Sequence, residues 1–305
     1  MDDYAIEVRD FRKTYGDFIA VDGISFDVKQ GEIFGLLGPN GAGKTSTLES
    51  LEGLRSPDGG SLRVAGIDPA REPRKLRNVI GVQLQSGGLP EGITPDEVMK
   101  LFCAYHNVAP RFDLLERLGL NEKRKAQFAE LSTGQQRRLA LALAVAHNPQ
   151  VLFLDEPTAG LDVASRVELH GLVRELQAKG TSIILATHDM AEAEEMSDRV
   201  AILLGGKLVT IGTPIEITAA GAGLTKVSVH TQGNTLTDPG LRFPAVSQQS
   251  VKDDYAIFFS TDIGQTVSAL IAQVEAVEDT LIDLRVERPS LEDRFLEITT
   301  TGGSQ

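Results

Sequence analysis

Eight residues, Gly38-Pro39-Asn40-Gly41-Ala42-Gly43-Lys44-Thr45, carry the spacing G-x-x-x-x-G-K-[ST], with Ser46 directly after. Glycines at these places let backbone N–H groups turn inward around a β-phosphate, and the helix that follows adds positive potential at its N-terminus. Lys44 is placed to bridge β- and γ-phosphates, and the Thr45 hydroxyl to ligate Mg²⁺. Further along, the apolar run Val151–Leu154 ends in an acidic pair, Asp155 and Glu156. A carboxylate at the C-terminal end of a buried strand can reach such a metal, usually through water. Glu156 is one residue on and points differently, toward a hydrolytic water, as a general base or water-positioner would. His188 follows another apolar run, SIILAT, so it should emerge at the same sheet edge as Asp155. Each motif has a bland reading as well: a glycine-rich turn, a solvated acidic loop, a capping histidine. Their co-occurrence, each in a strand-end context, argues against it.

These residues need a parallel sheet to hold them. VLFLD, SIILAT and RVAILL read as short buried strands. A helix separates the first two, with Leu169, Leu172, Val173 and Leu176 on one face and Gly180 as its stop. IFGLLG, ahead of the phosphate loop, is a continuous apolar run expected of a central strand, and GAGKTSTLESLEGL begins a helix that SPDGG ends. Strand–helix alternation of this kind predicts an α/β fold with a parallel sheet. Earlier, Ile6 and Val8, then Ile24, Phe26 and Val28, alternate as half-buried antiparallel strands do. Pro73 to Ala146 reads as mainly helical, with breaks at Pro90, Pro95 and Pro110.

Composition narrows the setting. The 305 residues carry a net charge of −13, which argues against nucleic acid as a partner, since a binder collects phosphates with a basic stripe. Lone Cys103 excludes an intramolecular disulfide framework, fits a reducing cytosol, and reads as a small buried residue rather than a nucleophile. MDDYAIEVRD is acidic and unlike a signal peptide. The longest apolar run, LALALAVA at Leu139–Ala146, falls well short of the ~20 residues that span a bilayer and reads as a buried helix. A membrane role would come through a partner.

Between the phosphate loop and the acidic pair lies LSTGQ, Leu131–Gln135, and beyond them AGLD, Ala159–Asp162, and THD, Thr187–Asp189. With GPNGAGKT, LSTGQ, VLFLDEP, AGLD and THD in that order, residues 1–217 resemble an ATP-binding cassette (ABC) ATPase. The resemblance implies a P-loop NTPase core, a RecA-like parallel sheet, with antiparallel β and helical subdomains. It further implies that Tyr15 stacks on adenine, that His188 contacts the γ-phosphate, and that Gln85 contacts Mg²⁺ and the attacking water, with Gln83 close enough to compete for that role. Ser132, Gly134 and Gln135 would bind the γ-phosphate of ATP held by an opposite subunit, and Asp162 would connect the two sites. Thr133 stands where glycine is commonest in the family, a departure expected to leave activity intact. One loop and one signature supply half of each of two composite sites, so the chain is expected to work as a homodimer or with a close relative.

The pattern changes near Thr218, and AAGAG at Ala219–Gly223 reads as a linker. Residues 218–305 are expected to form a small C-terminal α/β domain: strands Lys226–His230, Ala256–Ser260 and Leu281–Val286, helices Ile263–Val277 and Leu291–Ile298, and a disordered end, TTTGGSQ. PSLEDRFLEIT, Pro289–Thr299, and IGVQLQSGGLPEGITPDE resemble ATP-binding subunits of type-2 exporters, the daunorubicin-resistance-like group. That likeness implies a Mg²⁺-dependent ATPase at the cytoplasmic membrane face, energising a separate type-2 permease for drug, antibiotic, lipid or polymer efflux. Whether the C-terminal domain only packs on itself or meets a partner stays open. The competing classes are a soluble ABC ATPase acting on ribosomes or nucleic acid, a non-catalytic nucleotide-binding module, and a GTPase. The −13 charge opposes the first, intact Glu156 and His188 the second, and absence of an N-K-x-D segment the third.

Overall fold

A computed structural model describes residues 4–83, 88–219, 224–287 and 290–301. The chain divides into two compact units, Met1–Thr213 and Pro214–Gln305. In the first, β1 (Tyr4–Tyr15) and β2 (Phe18–Lys29) form an antiparallel hairpin, followed by β3 (Ile33–Leu37), α1 (Lys44–Leu51), β4 (Gly59–Val64), α2 (Pro73–Leu76) and β5 (Ile80–Gln83). Then come α3 (Pro95–Tyr105), α4 (Phe112–Arg117), α5 (Thr133–Val145), β6 (Val151–Asp155), α6 (Val163–Ala178), β7 (Ser182–Thr187), α7 (Met190–Met196), β8 (Arg199–Leu204) and β9 (Lys207–Gly212). The main sheet has the order β5-β6-β7-β3-β8-β9, parallel except for β9, and a second, antiparallel sheet runs β2-β1-β4.

The continuous apolar runs have a simple cause: the main sheet is covered on both faces, so alternate residues enter different cores. Leu152 and Leu154 of β6, with Ile183 and Leu185 of β7, pack with the helical side around α3, α5 and α6. Val151 and Phe153, with Ile184 and Ala186, pack with the antiparallel sheet and α1. Register then aligns the strand ends. Leu37 pairs with Thr187, and Asp155 with Ala186, so the loops after β3, β6 and β7 leave the sheet side by side.

The second unit holds α8 (Pro214–Ala219), β10 (Thr225–Thr231), β11 (Val246–Lys252), β12 (Tyr255–Ser260), α9 (Ile263–Ala276), β13 (Leu281–Glu287) and α10 (Leu291–Thr301). Its antiparallel sheet has the order β11-β12-β10-β13, and Val227, Val229, Phe258, Leu270 and Val274 form its core. Ser290 and Asp293 cap α10 reciprocally, as their spacing suggests.

Several expectations need correction. The division falls before Pro214 rather than after residue 217, because α8 packs against α10 and buries Ile217 in the second unit. The stretch from Pro73 to Ala146 is interrupted by β5, a four-residue edge strand too short to show a period. Strands β4, β9 and β11 also escape the sequence reading; β11 is polar and largely exposed. The terminal helix continues through Thr301, past the expected Ile298, and residues 302–305 of TTTGGSQ lie outside the described residues. So do residues 220–223 of AAGAG and Pro289.

Pro95 does not break a helix; it begins one. It occupies the first turn of α3, where its missing N–H is not needed, behind a capping box in which Thr94 and Glu97 exchange hydrogen bonds. Thr94→Ala is therefore expected to lower stability by about 1 kcal/mol, the usual cost of losing an N-cap oxygen. Urea unfolding reads this, and an unchanged midpoint would show that the box contributes nothing.

Candidate functional site

The phosphate loop connects β3 to α1 and closes tightly on its surroundings. Gly43 sits at φ 103°, and a Cβ there would lie 2.6 Å from the Ala20 carbonyl oxygen. Only glycine fits such a left-handed, crowded position. Lys44 is buried and donates from Nζ to the carbonyl oxygens of Gly38 (2.5 Å) and Pro39 (3.2 Å). Burial lowers its pKa, while Glu156 and Asp155 pull it back up. Asp155, at the end of β6, is pushed the other way: burial raises its pKa, Glu156 adds to this, and Lys44 opposes it.

Glu156 follows with φ 50°, a left-handed conformation unusual for a glutamate. Its N–H donates to the Ala186 carbonyl at 2.9 Å, and its Oε1 lies 2.7 Å from His188 Nδ1. Pro39 to Ser46, Asp155 and Glu156 line one cleft of about 170 Å³ with Tyr15, Phe18 and Ala20. Tyr15 shows an exposed ring, with Lys13 Nζ at 5.5 Å and Arg55 Cζ at 5.3 Å from its centroid, and its OH 3.3 Å from Ser46 Oγ.

The structure thus brings together Tyr15, the loop from Pro39 through Thr45 and Ser46, Asp155, Glu156 and, through Glu156, His188. Gln85 lies outside the described residues; Gln83, its competitor, ends β5 as a buried side chain. Ser132, Gly134, Gln135 and Asp162 are not among the cleft walls. Ser132 caps α5 in a closed box, its Oγ accepting from Gln135 N–H at 3.3 Å and its own N–H donating to Gln135 Oε1 at 2.9 Å. A Cβ on Gly134 would meet Leu161 at 3.4 Å, so the signature lies beside the AGLD turn. Asp162 caps α6 by accepting from Ser165 N–H at 2.8 Å, which holds its carboxyl below the usual range.

Two contributors escaped the sequence reading. Phe18 pairs with Tyr15 across the hairpin tip and walls the cleft beside it; the turn residues Gly16 and Asp17 between two aromatics were the available signal. Arg137 donates from α5 to the Glu156 carbonyl at 3.1 Å and to the Ala159 carbonyl. Nothing in the Arg137-Arg138 pair marks which one turns inward.

A larger groove of about 570 Å³ opens elsewhere on this unit, apolar along Ile80, Val82, Leu101, Phe102 and Tyr105. Glu52 lies in its wall, 6% exposed, and Oε2 finds no hydrogen-bond partner among the described residues. Burial, with Asp155 and Glu49 nearby, raises its pKa to about 8.

A triphosphate loop at the end of a parallel strand, with acidic and histidine side chains leaving the neighbouring strands, defines a P-loop nucleoside triphosphatase. The profile of the ABC transporter family matches residues 21–159. Nod factor export ATP-binding protein I of Paraburkholderia xenovorans is 36% identical over 98% of each chain. Daunorubicin resistance ATP-binding protein DrrA3 of Streptomyces coeruleorubidus is 33% identical over 98% of this chain and 97% of its own. A solved dimeric bacterial ABC transporter cassette superposes with a TM-score of 0.63 at 25% identity, covering 68% of this chain and 98% of that one. The chain belongs to the ABC transporter family as one of its ATP-binding proteins, and it hydrolyses ATP.

Glu52 gives the site a pH signature. A carboxyl with a folded pKa near 8, against an ordinary 4.5, binds its proton more tightly folded than unfolded. Stability therefore falls as pH rises from about 4.5 toward 8. Glu52→Gln, which needs no proton, is expected to be more stable than the parent at pH 8 by about 4 kcal/mol, the gap largely closing by pH 5. Urea melts at both pH values decide it; equal midpoints at pH 8 would refute the buried-acid reading.

Proposed function

We propose that this protein is the ATPase subunit of an exporter, acting as a dimer with a separate type-2 membrane permease at the cytoplasmic membrane face. The observation that carries the dimer is the incompleteness of the cleft. Ser132, Gly134 and Asp162 stand at the exposed starts of α5 and α6, outside the walls that hold Lys44 and Glu156. Apposing two chains head to tail would bring the helix N-terminus behind one signature to the phosphates in the other chain's cleft. ATP then bridges the halves, and its hydrolysis lets them part.

Within the cleft, Lys44 binds the β- and γ-phosphates, and Tyr15 with Phe18 offers rings to adenine. Glu156 takes the proton of the attacking water, and His188 Nδ1 at its Oε1 holds that carboxylate in place. The residues fit Mg²⁺: Asp155, whose ionisation burial opposes, would hold it with the Thr45 hydroxyl, where it would offset charge developing on the transferred phosphoryl group. Gln85 is assigned to the same ion and water on the resemblance alone.

The apolar groove supports the permease. Its wall strand β5 forms the first four residues of the IGVQLQS segment, and Leu101 and Tyr105 stand exposed beside it, a surface suited to a helix from a membrane subunit. No described helix is long and apolar enough to cross a membrane, and in this reading the permease supplies the spans. The relatives' names attach to Nod factor export and daunorubicin resistance, which supports export of a lipid-like or drug-like cargo chosen by the permease.

Glu156→Gln is expected to bind ATP, accumulate as a dimer on gel filtration with ATP, and turn over at least about a hundredfold more slowly. Unchanged turnover would remove Glu156 from its role. Lys44→Ala and Ser132→Arg should each be inactive, yet regain turnover when mixed, because one intact composite site forms from the good loop of one chain and the good signature of the other. A mixture as inactive as its components would refute the shared site.

A further inference from the structure

Helices α6 and α7 face each other with matched polar stripes that the chemistry above does not use. Arg166, His170 and Arg174 repeat every fourth residue along α6; Asp189, Glu192 and Glu195 repeat every third along α7. Arg166 Nη1 lies 3.7 Å from Asp189 Oδ2, and Arg174 Nη2 donates to the Glu195 carbonyl at 2.6 Å. Between them, His170 places Nε2 at 3.5 Å from Glu192 Oε1 and Nδ1 at 3.7 Å from Glu195 Oε1.

The middle pair is the unusual one. The Glu192 side chain is 1% exposed, and neither of its oxygens has a hydrogen-bond partner among the described residues. His170 is also buried, and its Nε2 is near enough for an ion pair but misaligned for a hydrogen bond. Burying a carboxylate without a partner is costly, and the His170 ring is the polar group packed against it. The position of this contact gives it meaning. Asp189 caps α7 by accepting from Glu192 N–H at 3.0 Å, and the residue just before that cap is His188, which holds Glu156. The opposite helix begins at Asp162.

We propose that His170 and Arg166 are positioning residues for hydrolysis: by gripping Glu192 and Asp189 they fix the start of α7, and so the His188 imidazole against Glu156. The proposal rests on the assignment of Glu156 and His188 above. A displacement of His188 by an ångström would leave ATP binding intact and slow the chemical step.

The test is steady-state ATP turnover of the full chain. His170→Phe keeps the ring and removes both nitrogens; it is expected to lower kcat between about five- and fiftyfold with KM for ATP within about twofold of the parent. Glu192→Gln should do the same, and the double variant should be no worse than either single one, since both cut one contact. A role in packing alone predicts near-parental kcat for His170→Phe, and independent roles predict multiplied losses in the double variant; either result overturns the proposal. If the buried variants fail to fold, Arg166→Gln decides, its side chain being 42% exposed: several-fold loss of kcat at constant KM supports the clamp, and parental kcat refutes it. Glu156→Gln runs alongside. If that variant keeps full turnover, the underlying assignment fails; if it is inactive while His170→Phe and Arg166→Gln are not, only the clamp fails.

Discussion

Three ionisable groups line the cleft, and burial works against the charge of two of them. Lys44, Asp155 and Glu156 are all buried, and each of the first two has its charged form disfavoured by desolvation. Opposite charges nearby offset part of that penalty, as Lys44 does for Asp155. A polyanion with a divalent cation would offset more, because it brings both signs of charge at once. The cluster is thus a cost to the fold that a nucleotide can relieve, and the two cores on opposite faces of the sheet hold it in place.

Sheet register turns this cluster into a site. Residues far apart in sequence meet because Leu37 pairs with Thr187 and Asp155 with Ala186, so Glu156 and His188 each sit one step beyond a strand, beside the loop that leaves β3. Arg137 ties the signature helix to the same point through the Glu156 carbonyl. The start of the signature helix and the backbone of Glu156 are therefore linked by one side chain.

Much of this could be read from residue order. Buried strands announced themselves as unbroken apolar runs because both faces of the main sheet are covered. Motifs at their ends followed from the same logic. What could not be read was short, polar or conformational. β5 spans four residues, and β11 exposes most of its side chains, so neither shows a period. Pro95 was misjudged because a proline that starts a helix and one that stops it look alike until Thr94 and Glu97 are seen to close a cap. Phe18 and Arg137 entered the site through a hairpin register and a rotamer, and the pairing of α6 with α7 depends on how two helices happen to face.

The left-handed backbone at Glu156 sets two demands on one position. Glycine or asparagine would rest there with less strain, and neither carries a carboxylate. Under the role proposed for Glu156, selection for robustness and selection for chemistry favour different residues at the same place. A lineage of such chains that ceased to need turnover would gain stability by letting this glutamate go, so its retention in a descendant would record continued use.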